Sequence, residues 1–264
     1  MSKKTKWVNP SSILAALTEI MYNILQQQLS DFKEPDREKY GMDVWYPAIE
    51  RFTFRSTKYV LSPTQIEDIL VSKPNSDLLA HIDDIITNQY SGKVFPRLHY
   101  LSPKHYPVCT SAREIFDILV KTTRTFNVLI SHRKKGCPLY LREWVSFRKA
   151  TEVRCFIANG KLTAMCQNDS QAESEPLRRP AVVKRVVADF IGMCLPLVPY
   201  RDCTIDVAIL RGMPYIVEIN TPFDMLAGSG LFSYPQEQHL LANGTINGPL
   251  FRYHTDAFFG IGEM

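Results

Sequence analysis

Residues 204–220 read TIDVAILRGMPYIVEIN, and this stretch decides the fold prediction. It contains two runs in which apolar and polar residues alternate, which is the pattern of half-buried β-strands. Gly212 lies between the runs and supplies the permissive backbone of a tight turn. The stretch therefore predicts a β-hairpin whose apolar face is formed by the odd-numbered residues Ile205, Val207, Ile209, Tyr215, Val217 and Ile219.

The opposite face of this hairpin carries the residues that suggest chemistry. If the loop comprises residues 211–213, Asp206 lies directly opposite Glu218, with side-chain roots about 5 Å apart. Two carboxylates at this separation repel each other unless a cation lies between them, and Mg²⁺ binds one or two carboxylates with other oxygen ligands. Asn220 adds a third oxygen donor. The pattern fits a metal site and, equally well, a solvated polar face.

A second hairpin is predicted just upstream. Two alternating runs flank an Asn-Gly dipeptide at residues 159–160, which is the strongest short-range signal for a two-residue turn. This turn pairs Glu152 with Gln167 and Arg154 with Met165. Glu152, Arg154 and Gln167 then share one polar face, and the other face is apolar.

Composition excludes several classes of protein. The chain has 264 residues, of which 45% are hydrophobic and 22% charged, so it is neither disordered nor collagen-like. A net charge of +4 is too small to indicate nucleic-acid binding by itself. The six cysteines form no Cys-x-x-Cys pair and are predicted to be reduced thiols of a cytoplasmic protein. The sequence shows no phosphate-binding P-loop, zinc-ligand spacing or Ser-His-Asp arrangement.

The N-terminal part of the chain is predicted to be helical. Apolar residues recur at helical spacing over residues 10–28, which favours an amphipathic helix packed on the body of the protein. Residues 31–39 are charged and contain proline, and they are predicted to form a linker. Further along, the pattern predicts helices over 75–88 and 112–120 and a strand over 94–100.

Several short segments, taken in order and with their spacing, resemble the cell division cycle protein 123 family, whose fold is an ATP-grasp relative. The resemblance runs from about Val44 to Arg252. The segments that carry it include VWYP at 44–47, VFPRLHYLSPK at 94–104, EVRCFI at 152–157, EINTPF at 218–223 and FR at 251–252.

The resemblance implies an α+β fold of the ATP-grasp type, in which two lobes with antiparallel sheets clamp a nucleotide. It implies an N-terminal helix and linker over residues 1–40, an N-terminal lobe over 41–140 and a C-terminal lobe with a metal site over 141–264. ATP and Mg²⁺ are the implied cofactors. The implied metal ligands are Asp206, Glu218 and Asn220, and the implied nucleotide-binding residues are Arg97, Lys104, Lys121, Arg142, Trp144, Glu152, Arg154 and Gln167.

The resemblance also implies a role for some of these residues. Lys121 and Arg142 are expected on strands that border the nucleotide cleft, and residues 141–144 are expected beside the adenine. Arg154 is expected to face the phosphates, with Glu152 orienting it as a bidentate partner.

Two functions of different classes follow from the resemblance. Members of the family act as assembly chaperones for translation initiation factor 2, so the first function is ATP- and magnesium-dependent assembly of that factor, with its gamma subunit as partner. The alternative is an ATP-dependent ligase that joins a carboxylate to an amine or thiol, or joins RNA ends. Its acceptor would be a small molecule or RNA. A third reading is an ATP-grasp fold that no longer binds nucleotide, and none of the three implies contact with a membrane.

Overall fold

The residues whose structure is described all lie within Arg37–Met264. The predicted helix over residues 10–28 and the first part of the predicted linker lie outside them. No helix in the described part of the chain is both long enough and apolar enough to cross a membrane. The computed structural model describes residues 37–104, 107–146, 151–168, 177–223, 228–255 and 260–264.

Side-chain caps determine where two of the predicted helices begin. Asn75 accepts a hydrogen bond from the amide of Leu78, and Ser111 accepts one from the amide of Glu114. Both helices are therefore confirmed, with ends that differ from the prediction by one or two residues. The α-helices of the described residues are α1 (Met42–Ile49), α2 (Pro63–Leu70), α3 (Ser76–Tyr90), α4 (Ala112–Lys121), α5 (Thr123–His132), α6 (Pro180–Cys194) and α7 (Gln238–Asn243).

The strands of the described residues form two sheets. The small sheet has three antiparallel strands in the order β1-β3-β2, and the large sheet has six in the order β7-β6-β4-β5-β8-β9. Within the large sheet, β5 and β8 are parallel. The strands are β1 (Ser56–Leu61), β2 (Val94–Leu98), β3 (Cys137–Glu143), β4 (Glu152–Ala158), β5 (Lys161–Gln167), β6 (Cys203–Leu210), β7 (Met213–Asn220), β8 (Leu250–His254) and β9 (Ile261–Glu263).

Most of the helices pack on one face of each sheet, whereas α7 packs on the opposite face of the large sheet, where its Leu241 lies in a cluster with Phe156. Helices α2 to α5 pack against the small sheet, where Leu139 and Leu141 of β3 are buried in an apolar core. Helices α1 and α6 pack against the large sheet around Trp45 and Phe190. Because side chains alternate along a strand, the neighbouring residues, such as Arg142 on β3, emerge on the opposite face. We call these opposite faces of the two sheets the cleft faces.

A β-bulge changes the predicted register of the first hairpin. Arg154 pairs with Cys166 instead of Met165, because Thr163 is left out of the pairing between β4 and β5. The shift by one residue moves Gln167 to the face opposite Arg154. The prediction that Gln167 completes the polar face of Arg154 is therefore wrong.

The second hairpin also contains a bulge, but here the predicted pair survives. Asp206 pairs with Glu218 as predicted, although the turn has only the two residues 211–212 instead of three. An extra residue, Val217, interrupts the pairing next to Asp206 and compensates for the shorter turn. As a result, Tyr215 and Val217 lie in a cluster on the cleft face, and not in the apolar face predicted for them.

Candidate functional site

A buried ion pair lies at the centre of the cleft face of the large sheet. Arg154 on β4 and Asp206 on β6 are directly opposite each other. Nε and Nη2 of Arg154 donate to Oδ1 and Oδ2 of Asp206, both at 2.9 Å, which is the bidentate geometry of a strong charge-assisted pair. This corrects the expectation that Glu152 is the bidentate partner. Glu152 instead accepts a hydrogen bond from Nδ2 of Asn168 at 2.6 Å.

A second ion pair joins the two sheets. Arg97 on β2 of the small sheet donates through Nη1 to Oε2 of Glu218 on β7 of the large sheet. Its Nη2 donates to the carbonyl oxygen of Tyr100 at 3.2 Å, and its Nε has no hydrogen-bond partner among the described residues. The Arg97 side chain is 1% exposed, so its charge depends on Glu218 for compensation.

Asn220 lies between the two carboxylates. Its Nδ2 is 2.9 Å from Oε1 of Glu218 and 3.4 Å from Oδ2 of Asp206. The three residues predicted as metal ligands are thus brought together. We call Arg97, Arg154, Asp206, Glu218 and Asn220 the charged cluster. In the described part of the chain, no group of three or more His, Cys, Asp and Glu side chains is placed to hold a metal ion, so a cation here would need the Asn220 amide.

The two carboxyl groups have shifted pKa values of opposite direction. Burial acts to raise the pKa of Glu218, but the positive charge of Arg97 and hydrogen bonds from Asn220 and Arg97 outweigh it and lower the pKa to about 2. Burial raises the pKa of Asp206, although Arg154 opposes this, and the nearby charge of Glu218 adds to the increase. Neighbouring carboxylates with pKa values moved apart are typical of functional sites.

An apolar cleft continues from the charged cluster along the same face. Ala208 lies two residues beyond Asp206 on β6 and packs with Phe54 and Val217. The rings of Phe54 and Tyr215 stack with centroids 5.6 Å apart. The cleft has a volume of about 860 Å³, which is in the range of small-molecule sites. It is lined by residues that include Phe54, Trp144, Val145, Ile209, Met213 and Tyr215.

Arg142 links the two sheets next to Glu143, which lines this cleft. Its Nη1 donates to the carbonyl oxygen of Val217 at 2.7 Å, and its Nη2 donates to Oγ1 of Thr53 at 3.0 Å. Arg142 is on strand β3, as predicted, and is buried. These two hydrogen bonds hold Val217 and Thr53 in place beside the cleft.

Sequence comparison assigns the chain to a family. The sequence model of the D123 family matches residues 62–256, a span that contains the whole charged cluster. This chain belongs to the D123 family. The assignment confirms the resemblance found in the sequence.

Relatives of the D123 family member described here include viral and fungal proteins. A CDC123-like protein of Acanthamoeba polyphaga mimivirus is 26% identical over 245 residues, covering 80% of this chain and 73% of the viral protein. The translation initiation factor eIF2 assembly protein of Schizosaccharomyces pombe is 24% identical over 187 residues, covering 62% of this chain and 57% of that protein.

A solved structure shares the fold of this D123 chain. Cdc123 from Schizosaccharomyces pombe matches with a TM-score of 0.67 at 20% sequence identity, over 79% of this chain and 93% of that chain. The match confirms the α+β fold that the resemblance implied.

Other predicted site residues of this D123 member lie outside the charged cluster. Lys121 is at the end of helix α4 and is exposed, so the expectation that it lies on a strand is wrong. Lys104 is exposed in the segment after β2. Gln167 is fully buried and accepts a hydrogen bond from the amide of His254 at 3.1 Å.

Sequence analysis missed the aromatic walls of the cleft. The alternation of residues along the second hairpin places Tyr215 on the apolar core face, because this alternation does not show the bulge at Val217. Phe54 follows Thr53 in a segment that the resemblance covers, but nothing local distinguishes it from a core phenylalanine. Trp144, predicted beside the adenine, does line the cleft.

Proposed function

We propose that this chain binds ATP together with Mg²⁺ in the cleft between the two sheets, and that it takes part in the assembly of translation initiation factor 2. The observation that supports ATP binding best is the convergence of Arg97 and Arg154, from different sheets, on Glu218 and Asp206. Two guanidinium groups and two carboxyl groups compensate each other. Such a cluster suits a ligand that brings both an anion and a cation.

The charged cluster is the phosphate end of the proposed site. A triphosphate carries about four negative charges, which cationic side chains and metal ions neutralise in phosphoryl-transfer proteins. Arg97 and Arg154 present planar donors that match phosphate oxygens as well as carboxylates. Lys104, exposed in the segment after β2, is proposed to reach the phosphates from the side.

The donor chemistry at Asp206, Glu218 and Asn220 fits Mg²⁺. Magnesium takes oxygen ligands, and the two carboxylates face each other across paired strands. The oxygen and nitrogen of an Asn side chain exchange places on a 180° rotation, so Asn220 can present Oδ1 to a cation. When bound, Mg²⁺ would neutralise phosphate charge and polarise the phosphate oxygens. The two carboxylates would then hold the cation, and the two arginines would be available to phosphate.

The apolar cleft is the proposed base end of the site. Phe54 and Tyr215 form a stacked aromatic wall, and Trp144 lies along the same opening. Aromatic side chains stack on nucleobases with about 1–3 kcal/mol per base. A planar base in this cleft would place its phosphates toward Asp206, because the cleft and the charged cluster share one face of β6.

The proposed role in assembly rests on family membership and on the function named for relatives. A fungal relative is called a translation initiation factor eIF2 assembly protein. We propose the gamma subunit of that factor as the partner, as the family resemblance implies. The ATP-dependent ligase remains the alternative that the experiments below distinguish.

Isothermal titration calorimetry tests the nucleotide site. ATP should bind the purified full chain in the presence of millimolar Mg²⁺ and lose affinity when the metal is chelated. The double variant Asp206→Asn with Glu218→Gln should lose at least about tenfold in Mg²⁺-dependent affinity. Glu237→Gln is the matched control, because Glu237 also pairs with an arginine, Arg252, but lies outside the charged cluster. Equal ATP affinity in the double variant and the wild type would contradict the metal assignment.

Two further assays separate assembly from ligation. Recombinant initiation factor 2 gamma subunit should co-purify with the chain more strongly when MgATP is present. The double variant Asp206→Asn with Glu218→Gln should lose this dependence on ATP. Labelled ATP incubated with the chain alone should remain intact. Release of ADP or AMP, or a covalent nucleotidyl adduct, in the absence of the factor would favour the ligase.

A further inference from the structure

Helix α6 has an outward side that lies opposite its buried side. Val187, Ile191 and Cys194 are buried in the core that α6 forms with the large sheet. Each residue advances a helix by about 100°, so the residues on the far side of the helix point away from this core. They are all exposed, and we call them the outer face of α6: Ala181, Val182, Arg185, Asp189, Gly192 and Met193.

Two apolar side chains and one glycine distinguish the outer face from an ordinary solvated helix surface. Val182 is 45% exposed and Met193 is 61% exposed. Gly192 is within the helix, where glycine is less favourable than alanine. Apart from the backbone of the helix itself, a Cβ at this position would have no described atom within 4 Å, and the backbone does not have a positive φ. Nothing in the described part of the chain therefore requires a glycine here, whereas a glycine does allow another chain to approach closely.

The outer face also carries one positive and one negative charge. Arg185 and Asp189 are exposed, and neither forms an ion pair with another described residue. A partner with only acidic or only basic groups would compensate just one of them. A partner that places a carboxylate opposite Arg185 and a guanidinium opposite Asp189 would compensate both.

A second copy of α6 is such a partner. In a two-fold dimer both copies use the same surface, and the contacts are reciprocal. If two α6 helices pack antiparallel with the two-fold axis on the side opposite Val187, positions at equal distances before and after 187 face each other. Arg185 is two positions before Val187, and Asp189 is two positions after it. Such a dimer contains the pair of Arg185 and Asp189 twice, with one residue of each pair from each copy.

The same packing matches the shapes of the outer face. Val182 is five positions before Val187 and faces Gly192 of the second copy, which is five positions after it. By the same symmetry, Met193 faces Ala181. Each exposed apolar side chain thus meets a small residue, which allows the two helices to pack closely. Gly192 also lines a pocket of about 360 Å³, which provides space for the Val182 side chain of the second copy.

We propose that two copies of this chain associate through the outer faces of α6 as an antiparallel two-fold dimer. The helix has 15 residues and is about 22 Å long, so the interface is small and the dimer is weak and sensitive to salt. Helix α6 packs on the side of the large sheet opposite its cleft face, so the cleft of each copy remains accessible. The proposal does not depend on nucleotide binding.

Sedimentation velocity on the full chain over a range of concentrations tests the dimer. The wild type should shift from monomer to dimer as its concentration rises. Arg185→Asp and Asp189→Arg should each weaken self-association by at least about tenfold, because each substitution places like charges opposite each other twice. Lys184→Asp is the matched control and should dimerise like the wild type. It makes the same change of charge as Arg185→Asp at the preceding position, which lies about 100° away around the helix.

A mixture of the two charge variants gives the sharpest result. Arg185→Asp and Asp189→Arg, mixed in equal amounts, should form a heterodimer, because the acidic outer face of one chain meets the basic outer face of the other. Native mass spectrometry identifies the heterodimer, since the two variants differ in mass. Recovery of the dimer in the mixture also shows that both variants are folded.

A further variant tests the close approach of the helices. Gly192→Leu should be at least as stable as the wild type in urea unfolding, because leucine favours a helix. It should nevertheless weaken self-association, because its side chain fills the space that receives Val182. Self-association equal to that of the wild type would overturn the proposed packing.

Three other results would overturn the dimer. The first is a wild type that stays monomeric up to about 1 mM, which would leave the outer face to a different protein. The second is a dimer that survives in both charge variants, or that is lost equally in Lys184→Asp. The third is a mixture of the two charge variants that stays monomeric.

Discussion

Replacing Glu218 with Gln removes the charge that compensates Arg97 between the two sheets. Arg97 is 1% exposed and Glu218 is 21% exposed. Within the part of the chain that the structure describes, the Nε of Arg97 already lacks a hydrogen-bond partner. In the variant, a buried guanidinium would therefore face only the carbonyl oxygen of Tyr100 and a neutral amide. We expect a marked loss of stability.

Two estimates agree on the size of this loss. Removing one partner of a buried ion pair typically costs about 3–5 kcal/mol of the free energy of unfolding. The pKa of Glu218 is lowered from 4.5 to about 2, and at about 1.4 kcal/mol for each pKa unit this corresponds to about 3 kcal/mol. We expect about 3 kcal/mol at neutral pH, because Gln keeps an oxygen that can accept a hydrogen bond from Arg97.

The loss should depend on pH with a defined sign. The pKa of Glu218 is lower in the folded state, so its contribution is complete above pH 4.5 and disappears as the pH falls to about 2. The difference in stability between the wild type and Glu218→Gln should therefore shrink in this window. The contribution of Asp206 to stability changes with pH in the opposite direction, because burial raises the pKa of Asp206. Comparing the two proteins at each pH measures the contribution of Glu218 together with its effect on the pKa of Asp206.

Urea unfolding followed by tryptophan fluorescence, from neutral pH down to about pH 3, measures this difference. Glu237→Gln is the matched control. Hydrogen bonds from Arg252 and from the amide of Ser233 lower the pKa of Glu237 to about 2 as well. However, Arg252 is 14% exposed and retains a second carboxylate, Glu263, at 2.8 Å, so solvent screens this pair and removing Glu237 leaves no buried charge without a counter-ion. The control should lose about 1 kcal/mol or less. A loss in Glu218→Gln no larger than in the control, or one that does not change with pH, would refute the reasoning.

Three other predictions concern the cleft, a close contact and the thiols. Trp144→Ala should weaken ATP binding by about tenfold in calorimetry through loss of stacking, and an unchanged dissociation constant would remove Trp144 from the base site. Gly41→Ala should cost about 1–3 kcal/mol in urea unfolding, because a Cβ would overlap the ring of His99, and a stable variant would show that this ring can move. Burial raises the pKa of Cys109 and of Cys137 to about 12, so iodoacetamide should modify neither in the native protein at neutral pH, and mass spectrometry that finds rapid labelling would contradict their burial.

Local signals were enough to locate the two hairpins that carry four of the five residues of the charged cluster, all except Arg97. Asn159 and Gly160 form the predicted turn with φ values of 53° and 73°, in the left-handed region that this dipeptide favours. Alternation along residues 204–220 placed Asp206 opposite Glu218, and these residues do pair. Turn chemistry and alternation act between residues close in sequence, so they can be read directly from it.

The same signals did not reveal the bulges. The turn over residues 211–212 is one residue shorter than predicted, and Val217 restores the pairing of Asp206 with Glu218. At Thr163 a bulge is not compensated in this way, so Gln167 changed faces and its prediction was wrong. An extra residue in one strand is stabilised by its neighbours in the folded sheet, and periodicity carries no signal for it.

Only the tertiary structure decided which charges pair. Arg97 and Glu218 are 121 residues apart and meet because the cleft faces of the two sheets face each other. Arg154 pairs with Asp206 on the adjacent strand, and not with Glu152 on its own strand. The family resemblance identified these residues as a set, but burial and strand order determine each partner, because a buried charge is stable only beside the opposite charge that the packed sheets bring within reach.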